Sequence, residues 1–284
     1  MRYLSVCSGI EAATVAWHDL GWKPVGFSEI EPFPSAVLAH HYPAVTNFGD
    51  MTKYKEWNIE HPDILVGGTP CQSFSVAGLR KGLDDPRGNL ALTYCGILDH
   101  FRPTWFVWEN VPGVLSSSGG RDFGSFLGAV AELGYGFAYR VLDAQFFGVA
   151  QRRRRVFVVG YLGDWRPPAA VLFERESLSR DLEALPKRFI RGRRKDLSGC
   201  LDTRACNAFD RADLDKLIFD YDNGKVRRPT PEEYERLQGF PTGYTDIPRN
   251  KKPDGPRYKA LGNSMAVPVM RWIGDGISYV TERI

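Results

Sequence analysis

The amino-acid sequence predicts an α/β protein built around a doubly wound, mostly parallel β-sheet. Strand-like and helix-like stretches alternate through residues 1–160, which is the pattern of repeated β-α-β units. Small or acidic residues follow several of the strand-like runs, at the sheet edge where such folds bind ligands. A chain of 284 residues, 43% of them hydrophobic, is also large and apolar enough to bury a sizeable core.

Short apolar runs rich in β-branched and aromatic residues predict the strands, and apolar residues at three- and four-residue spacing predict the helices. Strands are predicted over residues 3–7, 25–29, 63–67, 104–108 and 156–161, and a further strand-like run ends near 49–51. Helices are predicted over residues 10–20, 35–41, 88–101 and 123–133.

The alternation of strands and helices stops after Tyr161. Residues 162–226 mix prolines, charges and short apolar runs without periodicity, which predicts a small separate domain or a long insertion. Helical order returns with a capping box formed by Thr230 and Glu233, and a last helix is predicted over 267–284.

The composition argues against several classes of protein. No apolar run reaches the ~20 residues that a membrane-spanning helix needs, and no signal-peptide pattern is present. The five cysteines are an odd, sparse set without a Cys-x-x-Cys pair, so the sequence predicts neither a disulfide framework nor a bound metal. The net charge of +3 is too small to identify a partner. We therefore expect a reduced, cytoplasmic protein.

Two features follow the first two predicted strands. Residues 6–11 form a turn of small residues before a helix, where backbone N–H groups can hold a ligand. This turn lacks the Gly-x-Gly-x-x-Gly fingerprint of dinucleotide-binding folds, so alone it is weak evidence. Glu29 ends the second strand, where an acid can accept hydrogen bonds from a ribose. A solvated glutamate at a strand end would explain Glu29 alone equally well.

Two further strands end in residues suited to catalysis. Cys71 lies in a turn shaped by glycine and proline just after the buried run 63–67. A cysteine held there on a rigid loop can act as a nucleophile if its thiolate is favoured, although taken alone it could equally be an inert small hydrophobe. Glu109 ends the apolar run 104–108, where loss of water can raise the pKa of its carboxyl group and let it act as an acid.

Short motifs connect these residues to a known family. The chain contains, in order, Pro70-Cys71-Gln72, Glu109-Asn110-Val111 and Gln151-Arg152-Arg153-Arg154-Arg155. Two later blocks extend from Arg228 to Pro241 and from Leu261 to Ser264. In order and spacing these blocks resemble those of the DNA (cytosine-5) methyltransferases, over residues 3–160 and 227–270. The compact form resembles the bacterial and bacteriophage enzymes of restriction–modification type.

The resemblance implies a fold and a division into domains. The fold would be a Rossmann-like S-adenosylmethionine-dependent methyltransferase domain with a small target-recognition domain. Residues 1–161 and 255–284 would form the catalytic, cofactor-binding domain, and residues 162–254 the target-recognition domain, with its variable part at 162–226.

The resemblance also implies a mechanism. Carbon 5 of cytosine is a weak nucleophile, and the Cys71 thiolate would activate it by adding to carbon 6 while Glu109 binds ring N3. Arg155, with Arg153 nearby, would hold the cytosine O2 and the adjacent phosphate. Carbon 6 cannot be reached inside a stacked duplex, so the base would be flipped out. The implied catalytic residues are Cys71, Glu109, Arg155, Arg153, Pro70, Gln72 and Asn110.

The methyl donor implied is S-adenosyl-L-methionine. The turn after the first strand would face its methionine portion, Glu29 its ribose hydroxyls and Asp50 its adenine amino group. The sequence departs from the family pattern where Cys7 and Ile30 replace residues that are usually or often aromatic. The implied cofactor residues are Cys7, Ser8, Gly9, Ile10, Glu29, Ile30, Asp50, Met51, Gly68, Pro70, Leu90, Asn263 and Ser264.

The partner implied is double-stranded DNA, bound by a protein that we expect to be a monomer and that could have a cognate restriction endonuclease. Two alternatives stay open: a DNA-binding relative without catalytic activity, and the same chemistry on transfer RNA. The basic run at 187–195 suits phosphates better than bases, because basic clusters chiefly supply affinity that is independent of sequence. The predicted DNA contacts are Ser75, Gln151, Arg193, Arg194, Lys195 and Arg204.

Overall fold

The computed structural model describes residues 1–70, 90–173, 225–248 and 253–284, together with the backbone of 218–220. Several predicted site residues lie outside the described residues, namely Cys71, Gln72, Ser75, Arg193, Arg194, Lys195 and Arg204.

The main sheet of the described chain has six strands: β1 (Arg2–Val6), β2 (Lys23–Ser28), β3 (Ile64–Gly67), β4 (Trp105–Asn110), β5 (Tyr135–Asp143) and β6 (Arg154–Leu162). Their order across the sheet is β2-β1-β3-β4-β6-β5. The first four strands pair in parallel, whereas β6 is antiparallel to both β4 and β5. The predicted α/β class and its largely parallel sheet are therefore confirmed. A separate antiparallel ribbon joins β7 (Ile218–Asp220) to β8 (Lys225–Arg227).

The α-helices flank this sheet. In the described part of the chain they are α1 (Ala12–Trp17), α2 (Pro32–His41), α3 (Leu90–Phe101), α4 (Arg121–Glu132), α5 (Arg166–Phe173), α6 (Pro231–Gln238), α7 (Gly255–Asn263) and α8 (Val267–Thr281). None of these helices has both the length and the apolar character needed to cross a membrane.

Alternation of side chains along the strands divides the core into two layers. Tyr3 and Ile64 face a layer with α1 and α8, while the next residues, Leu4 and Leu65, face a layer with α3 and α4. Successive side chains of a strand point to opposite faces of the sheet, so short runs of apolar residues in β1 and β3 contribute side chains to both layers. This arrangement leaves the carboxyl ends of the parallel strands free to form a site.

Two details of the sheet differ from the sequence prediction. The strand predicted to end near 49–51 is wrong, because this segment contributes only an isolated bridge between Phe27 and Asn47, followed by a 3-10 turn over Met51–Glu56. The long edge strand β5 was not predicted. Its pairing with β6, which lies beyond an intervening loop, is a tertiary interaction that local periodicity does not report.

Two helices that the sequence assigned to the small domain pack on the sheet domain. In α5, Val171 and Leu172 are buried in the layer that contains α8, and a guanidinium N–H of Arg140 on β5 donates to the carbonyl oxygen of Leu172 at 2.8 Å. In α6, Tyr234 is buried in the same layer. The division of the chain at residue 161 stays a prediction. These two helices share the hydrophobic core of the sheet domain.

The predicted capping box at the start of α6 is confirmed. The Thr230 hydroxyl accepts from the backbone N–H of Glu233 at 3.3 Å, and the Thr230 backbone N–H donates to the Glu233 carboxylate at 2.7 Å. Gly239 ends the helix with a φ of 82°, a conformation that favours glycine.

Candidate active site

A large cavity opens at the carboxyl ends of the four parallel strands, at the sheet edge that the sequence predicted for ligand binding. The predicted site residues on its wall are Cys7, Gly9, Glu29, Ile30, Asp50, Met51, Gly68, Pro70, Leu90, Glu109, Asn110, Arg153, Arg155 and Asn263. A small cavity adjoins it and shares Cys7, Gly9, Gly68, Glu109 and Asn263; Ser8 and Ser264 line the small cavity alone.

Ile10 is the exception among the predicted cofactor residues that the structure describes. Its side chain is fully buried in the core layer with α1 and lines neither cavity, and its carbonyl oxygen accepts from the Tyr244 hydroxyl at 2.9 Å. The Ile10 side chain therefore anchors the turn to the core, and a cofactor contact of Ile10 stays a prediction.

The turn after β1 is held in an unusual backbone conformation. Cys7, Gly9 and Glu11 all have positive φ angles, of 49°, 57° and 64°. Positive φ is costly for residues other than glycine and persists only where the surroundings hold it. Here the Ser8 backbone N–H donates to the carbonyl oxygen of Ser28 at 3.1 Å, which ties the turn to the end of β2.

Glu29 is fixed at the cavity wall by backbone donors. One carboxylate oxygen accepts from the Gly9 N–H at 2.8 Å and the other from the Glu31 N–H at 2.7 Å. Asp50 accepts from the Thr52 N–H at 2.9 Å. Both side chains keep unused lone pairs facing the cavity, because each carboxylate oxygen can accept more than one hydrogen bond.

Open space and soft side chains complete this wall. A Cβ atom added to Gly9 would meet no atom within 4 Å, so this glycine leaves a cradle that a ligand can fill. The Cys7 Sγ lies 3.5 Å from the Met51 Sδ, which gives the wall a sulfur-lined patch where the family usually has an aromatic ring. Burial raises the pKa of the Cys7 thiol to about 12, with the charge of Glu29 as a further cause, so Cys7 is neutral and unsuited to nucleophilic attack.

Glu109 is the buried acid of the site. It ends β4, and its carboxylate lies 3.0 Å from the Nε atom of Arg155 on β6. Burial raises the pKa of Glu109, while the positive charges of Arg155 and Arg153 act to lower it. A carboxyl group with a raised pKa, held by an arginine, is suited to donate a hydrogen bond or a proton to a ligand in the cavity.

The chain between β3 and residue 71 is fixed next to Glu109. The Asn110 side-chain amide donates to the carbonyl oxygen of Thr69 at 3.0 Å, and the Trp108 indole N–H donates to the Thr69 hydroxyl at 3.0 Å. A Cβ atom on Gly68 would lie 2.8 Å from the Glu109 carboxylate, so a larger residue here would displace that carboxylate. The two strand ends thus hold Pro70, the last described residue before Cys71, on the wall that Glu109 also lines.

Arg153 braces the opposite wall. Its guanidinium donates to the carbonyl oxygens of Gly262 and Ser264, at 3.1 and 2.7 Å, and so holds the turn that carries Asn263. Arg153 is buried yet lines the large cavity. Arg155 pairs directly with Glu109, whereas Arg153 donates to the Asn263 turn and acts on Glu109 through its charge.

Gln151 is not on the surface. The side chain is fully buried, and its amide donates to the carbonyl oxygen of Leu237 at 2.9 Å and lies 3.3 Å from the Gln238 side-chain oxygen. Gln238 in turn donates to the carbonyl oxygen of Leu261 at 2.6 Å. This corrects the prediction of a DNA contact for the Gln151 side chain, which instead links the start of β6 to α6.

Two functional features were missed by sequence reasoning. Gln238 supports the turn before Asn263. Its position in the Leu237-Gln238-Gly239 block was the sequence signal that could have indicated this role. Glu11 is 1% exposed and lines the small cavity. The signal for Glu11 was an acidic residue inside a run of small residues, in a turn whose backbone needs a positive φ angle.

Comparison with known proteins identifies the family and the fold. The profile of the family described as "C-5 cytosine-specific DNA methylase" matches residues 1–197 and 186–278. Among solved structures, that of the S. pombe Dnmt2 methyltransferase has a TM-score of 0.73 at 17% identity, over 100% of this chain and 99% of that one. A mutant form of Spodoptera frugiperda DNMT2 has a TM-score of 0.67 at 20% identity, over 98% of this chain and 99% of that one. At these identities the likeness shows the fold alone.

Two curated relatives are methyltransferases of a phage and of a bacterium. The chain is 36% identical to the "DNA N-6-adenine-methyltransferase" of Escherichia phage P1, over 97% of this chain, but it spans only 61% of that relative's length. It is 30% identical to "Type II methyltransferase M1.ScrFI" of Lactococcus lactis subsp. cremoris, over 99% of this chain and 79% of the relative.

Proposed function

Because the chain belongs to the C-5 cytosine-specific DNA methylase family, we propose that it transfers a methyl group to carbon 5 of cytosine in a specific sequence of double-stranded DNA. The observation that carries the proposal is the buried Glu109–Arg155 pair, which shares a cavity wall with Pro70, the residue before Cys71. This supports a site in which an acid and the predicted nucleophile act together, as addition to a pyrimidine ring requires.

The cofactor is S-adenosyl-L-methionine, and the residues of the site fit it. Gly9 leaves the open cradle, Glu29 and Asp50 present acceptors for hydroxyl and amino groups, and Cys7 with Met51 offers an apolar face. When bound, the cofactor supplies an electrophilic methyl group. The same cavity is also lined by cationic side chains, of which Arg155 suits the anionic DNA.

In the proposed reaction the Cys71 thiolate forms a bond to carbon 6 of a flipped-out cytosine. The electron pair of the C5–C6 double bond moves into the ring, and Glu109 stabilises the resulting charge by donating a hydrogen bond or proton to N3. Carbon 5 then forms its bond to the methyl carbon as that carbon's bond to the donor sulfur breaks, and the proton on N3 returns to Glu109. Loss of the proton from carbon 5 restores the double bond as the sulfur leaves carbon 6, which regenerates the thiolate. Arg155 holds Glu109 in place and is positioned to donate a hydrogen bond to the cytosine O2.

One assay decides between this activity and its alternatives. The phage P1 relative is named for the N6 position of adenine, and 39% of its length, the remainder after the 61% match, lies outside the region shared with this chain. Purified protein is incubated with S-adenosylmethionine and either duplex DNA or transfer RNA, and the nucleosides are separated by mass spectrometry. We expect 5-methylcytosine in the DNA alone. N6-methyladenine, methylated transfer RNA or no product at all would overturn the proposal.

The cofactor placement makes a prediction for Glu29. Replacing Glu29 with alanine removes the acceptor at the ribose position and should weaken binding of S-adenosylmethionine by about 10- to 100-fold, the range for losing a hydrogen bond to a charged group. Calorimetry measures this directly. Glu31→Ala is the matched control, because Glu31 is exposed and pairs with Lys259 at 2.8 Å, and it should change affinity little. Equal effects of the two variants, or a Glu29 variant with unaltered affinity, would refute the placement.

Sequence specificity is proposed to reside in residues 162–226, most of which lie outside the described residues. The catalytic blocks perform the same chemistry on every cytosine, so contacts to base edges must come from elsewhere. Replacing 162–226 with the matching segment of a relative should change the methylated sequence while transfer through Cys71 continues. Methylome sequencing of cells that express the chimera measures this, and a folded, active chimera that keeps the original site contradicts it. Within this exchange, residues 166–173 should be left unchanged, because α5 packs in the hydrophobic core.

The basic residues of this segment should act differently. Neutralising Arg193, Arg194 and Lys195 should weaken binding to all DNA sequences and flatten its salt dependence without changing which cytosine is modified. A monomeric state and a cognate endonuclease stay predictions.

A further inference from the structure

Glu11 is a buried acid of the site for which the proposed reaction has no role. It lies at the start of α1 and lines the small cavity together with Glu109 and Asn263, both of which also line the large cavity. Its side chain is 1% exposed. A carboxyl group is expensive to bury, so its presence at a ligand cavity calls for a physical account.

Three neutral donors hold the Glu11 carboxylate. The Ser5 hydroxyl donates to one oxygen, while the Thr14 backbone N–H, at 3.2 Å, and the Thr14 hydroxyl, at 2.5 Å, donate to the other. The Tyr3 hydroxyl then donates to the Thr14 oxygen at 2.7 Å. These donors fix the position of the carboxylate and favour its charged form, but none of them carries a positive charge that would neutralise it.

The titratable groups that face Glu11 cannot neutralise it either. Burial raises the pKa of Glu11 to about 7, with the charge of Glu29 as a smaller cause, so the group is partly ionised near neutrality. Burial raises the pKa of Tyr42 to about 12 and that of the Tyr3 and Tyr244 hydroxyls further still, so the three phenols stay neutral. The thiol of Cys7 is neutral for the same reason. A cation entering the small cavity would therefore meet an uncompensated negative charge.

Given the proposed function, that cation is the sulfonium group of the methyl donor. The transferred methyl group must lie beside the cytosine that Glu109 binds, and Glu109 and Glu11 line the same small cavity, so the sulfur of the methyl donor would lie near Glu11. This sulfur is a sulfonium cation in S-adenosylmethionine and a neutral thioether in the product, S-adenosylhomocysteine. We propose that Glu11 is a charge-selecting residue, whose buried carboxylate favours the cationic donor over the neutral product and thereby promotes exchange of product for fresh donor.

Binding of two stable ligands to the full chain without DNA tests this proposal. Sinefungin carries an amine, cationic at neutral pH, in place of the sulfonium, and S-adenosylhomocysteine carries the neutral thioether. At pH 8, replacing Glu11 with glutamine should lower the affinity for sinefungin relative to S-adenosylhomocysteine by about fivefold, because the charge–charge attraction is lost while the hydrogen-bonding shape is kept. Glu31→Gln is the matched control, since this acid lines the large cavity but is exposed, so water screens its charge and the affinity ratio should stay unchanged.

The wild-type protein provides a second test that needs no variant. Glu11 is protonated below its pKa, so the preference for sinefungin should be small at pH 6 and should increase through pH 7 to a plateau near pH 8. Sinefungin binding at pH 7 should also release protons, measured by calorimetry in buffers of different ionisation enthalpy, because a nearby cation favours the charged carboxylate. A ratio that is the same at pH 6 and 8, or the same in the Glu11 variant, would overturn the inference. If neither ligand binds, the cofactor assignment itself fails, and this result is distinguishable from the failure of the inference about Glu11.

Discussion

Replacing Cys71 with alanine is expected to abolish methyl transfer, by roughly 10⁴-fold or more, while DNA and cofactor binding stay measurable. Carbon 5 of cytosine becomes nucleophilic only when a thiolate has added to carbon 6, so no other group in the site can replace the sulfur. The described chain leads up to this position through fixed residues. Pro70 lies on the cavity wall, and Thr69 before it is held by Trp108 and Asn110.

Other cysteines of the chain provide the controls for this prediction. Cys95 is buried in the core layer with α3, and burial raises the pKa of its thiol to about 12, so it is not a nucleophile. Cys95→Ala and Cys7→Ala should both retain transfer within about tenfold. Duplex DNA with 5-fluorocytosine at the target position cannot lose its substituent as a proton, so wild-type protein should form a denaturant-resistant adduct with it. An adduct that forms equally well with the Cys71 variant, or is lost with the Cys95 variant, would contradict the assignment.

Local sequence pattern was sufficient for most of the sheet. β1, β3 and β4 are short and wholly or largely buried, so their continuous apolar runs differ sharply from the polar segments around them. The start of α6 was predicted to the residue because a capping box is a local arrangement. The edge strand β5 mixes buried, half-buried and exposed residues without strict alternation and includes Arg140, and it becomes a strand through its pairing with β6.

The site was predictable to the extent that it follows from strand ends. The rule that ligands bind at the carboxyl ends of parallel strands placed Glu29, Gly68 and Glu109 on one cavity wall. The rule does not say which way a side chain turns, and that is why Ile10 lies in the core and Gln151 between β6 and α6. Family resemblance could not supply Glu11 either, because its role depends on a buried set of donors that comes together only in the fold.

The charge pattern of the cavity separates the two halves of the proposed reaction. Glu29 follows β2, and Asp50 precedes the 3-10 helix Met51–Glu56; both would hold the donor, while Arg155 would face the DNA. Glu109 belongs to both halves, because its carboxylate pairs with Arg155 and it also lines the small cavity with Glu11. A single buried acid with these neighbours is the group whose protonation should control the chemical step.

Replacing Glu109 with glutamine should therefore lower turnover by about 10²- to 10⁴-fold, the range typical of general acid–base groups. Glutamine keeps the shape and can still contact N3 and Arg155, but it cannot give up a proton when the sulfur adds. Binding of S-adenosylhomocysteine and of duplex DNA, measured by calorimetry and by fluorescence anisotropy, should change little. Unaltered turnover in a variant that binds both ligands would rule out the role.

The pH dependence of turnover distinguishes a proton donor from a group that only positions the base. Burial raises the pKa of Glu109, so the protonated form persists to higher pH than in an exposed glutamate, and it is lost as the pH rises through that value. Single-turnover rates of the wild-type protein should accordingly fall on the alkaline side, and in Glu109→Gln this fall should disappear because no proton is left to lose. Arg155→Lys keeps a positive charge near the carboxylate but loses the guanidinium geometry, so it should keep the alkaline fall while lowering the rate. An alkaline fall that is identical in wild type and Glu109→Gln would show that another group titrates, and Glu109 would then be a hydrogen-bonding residue without a proton-transfer role.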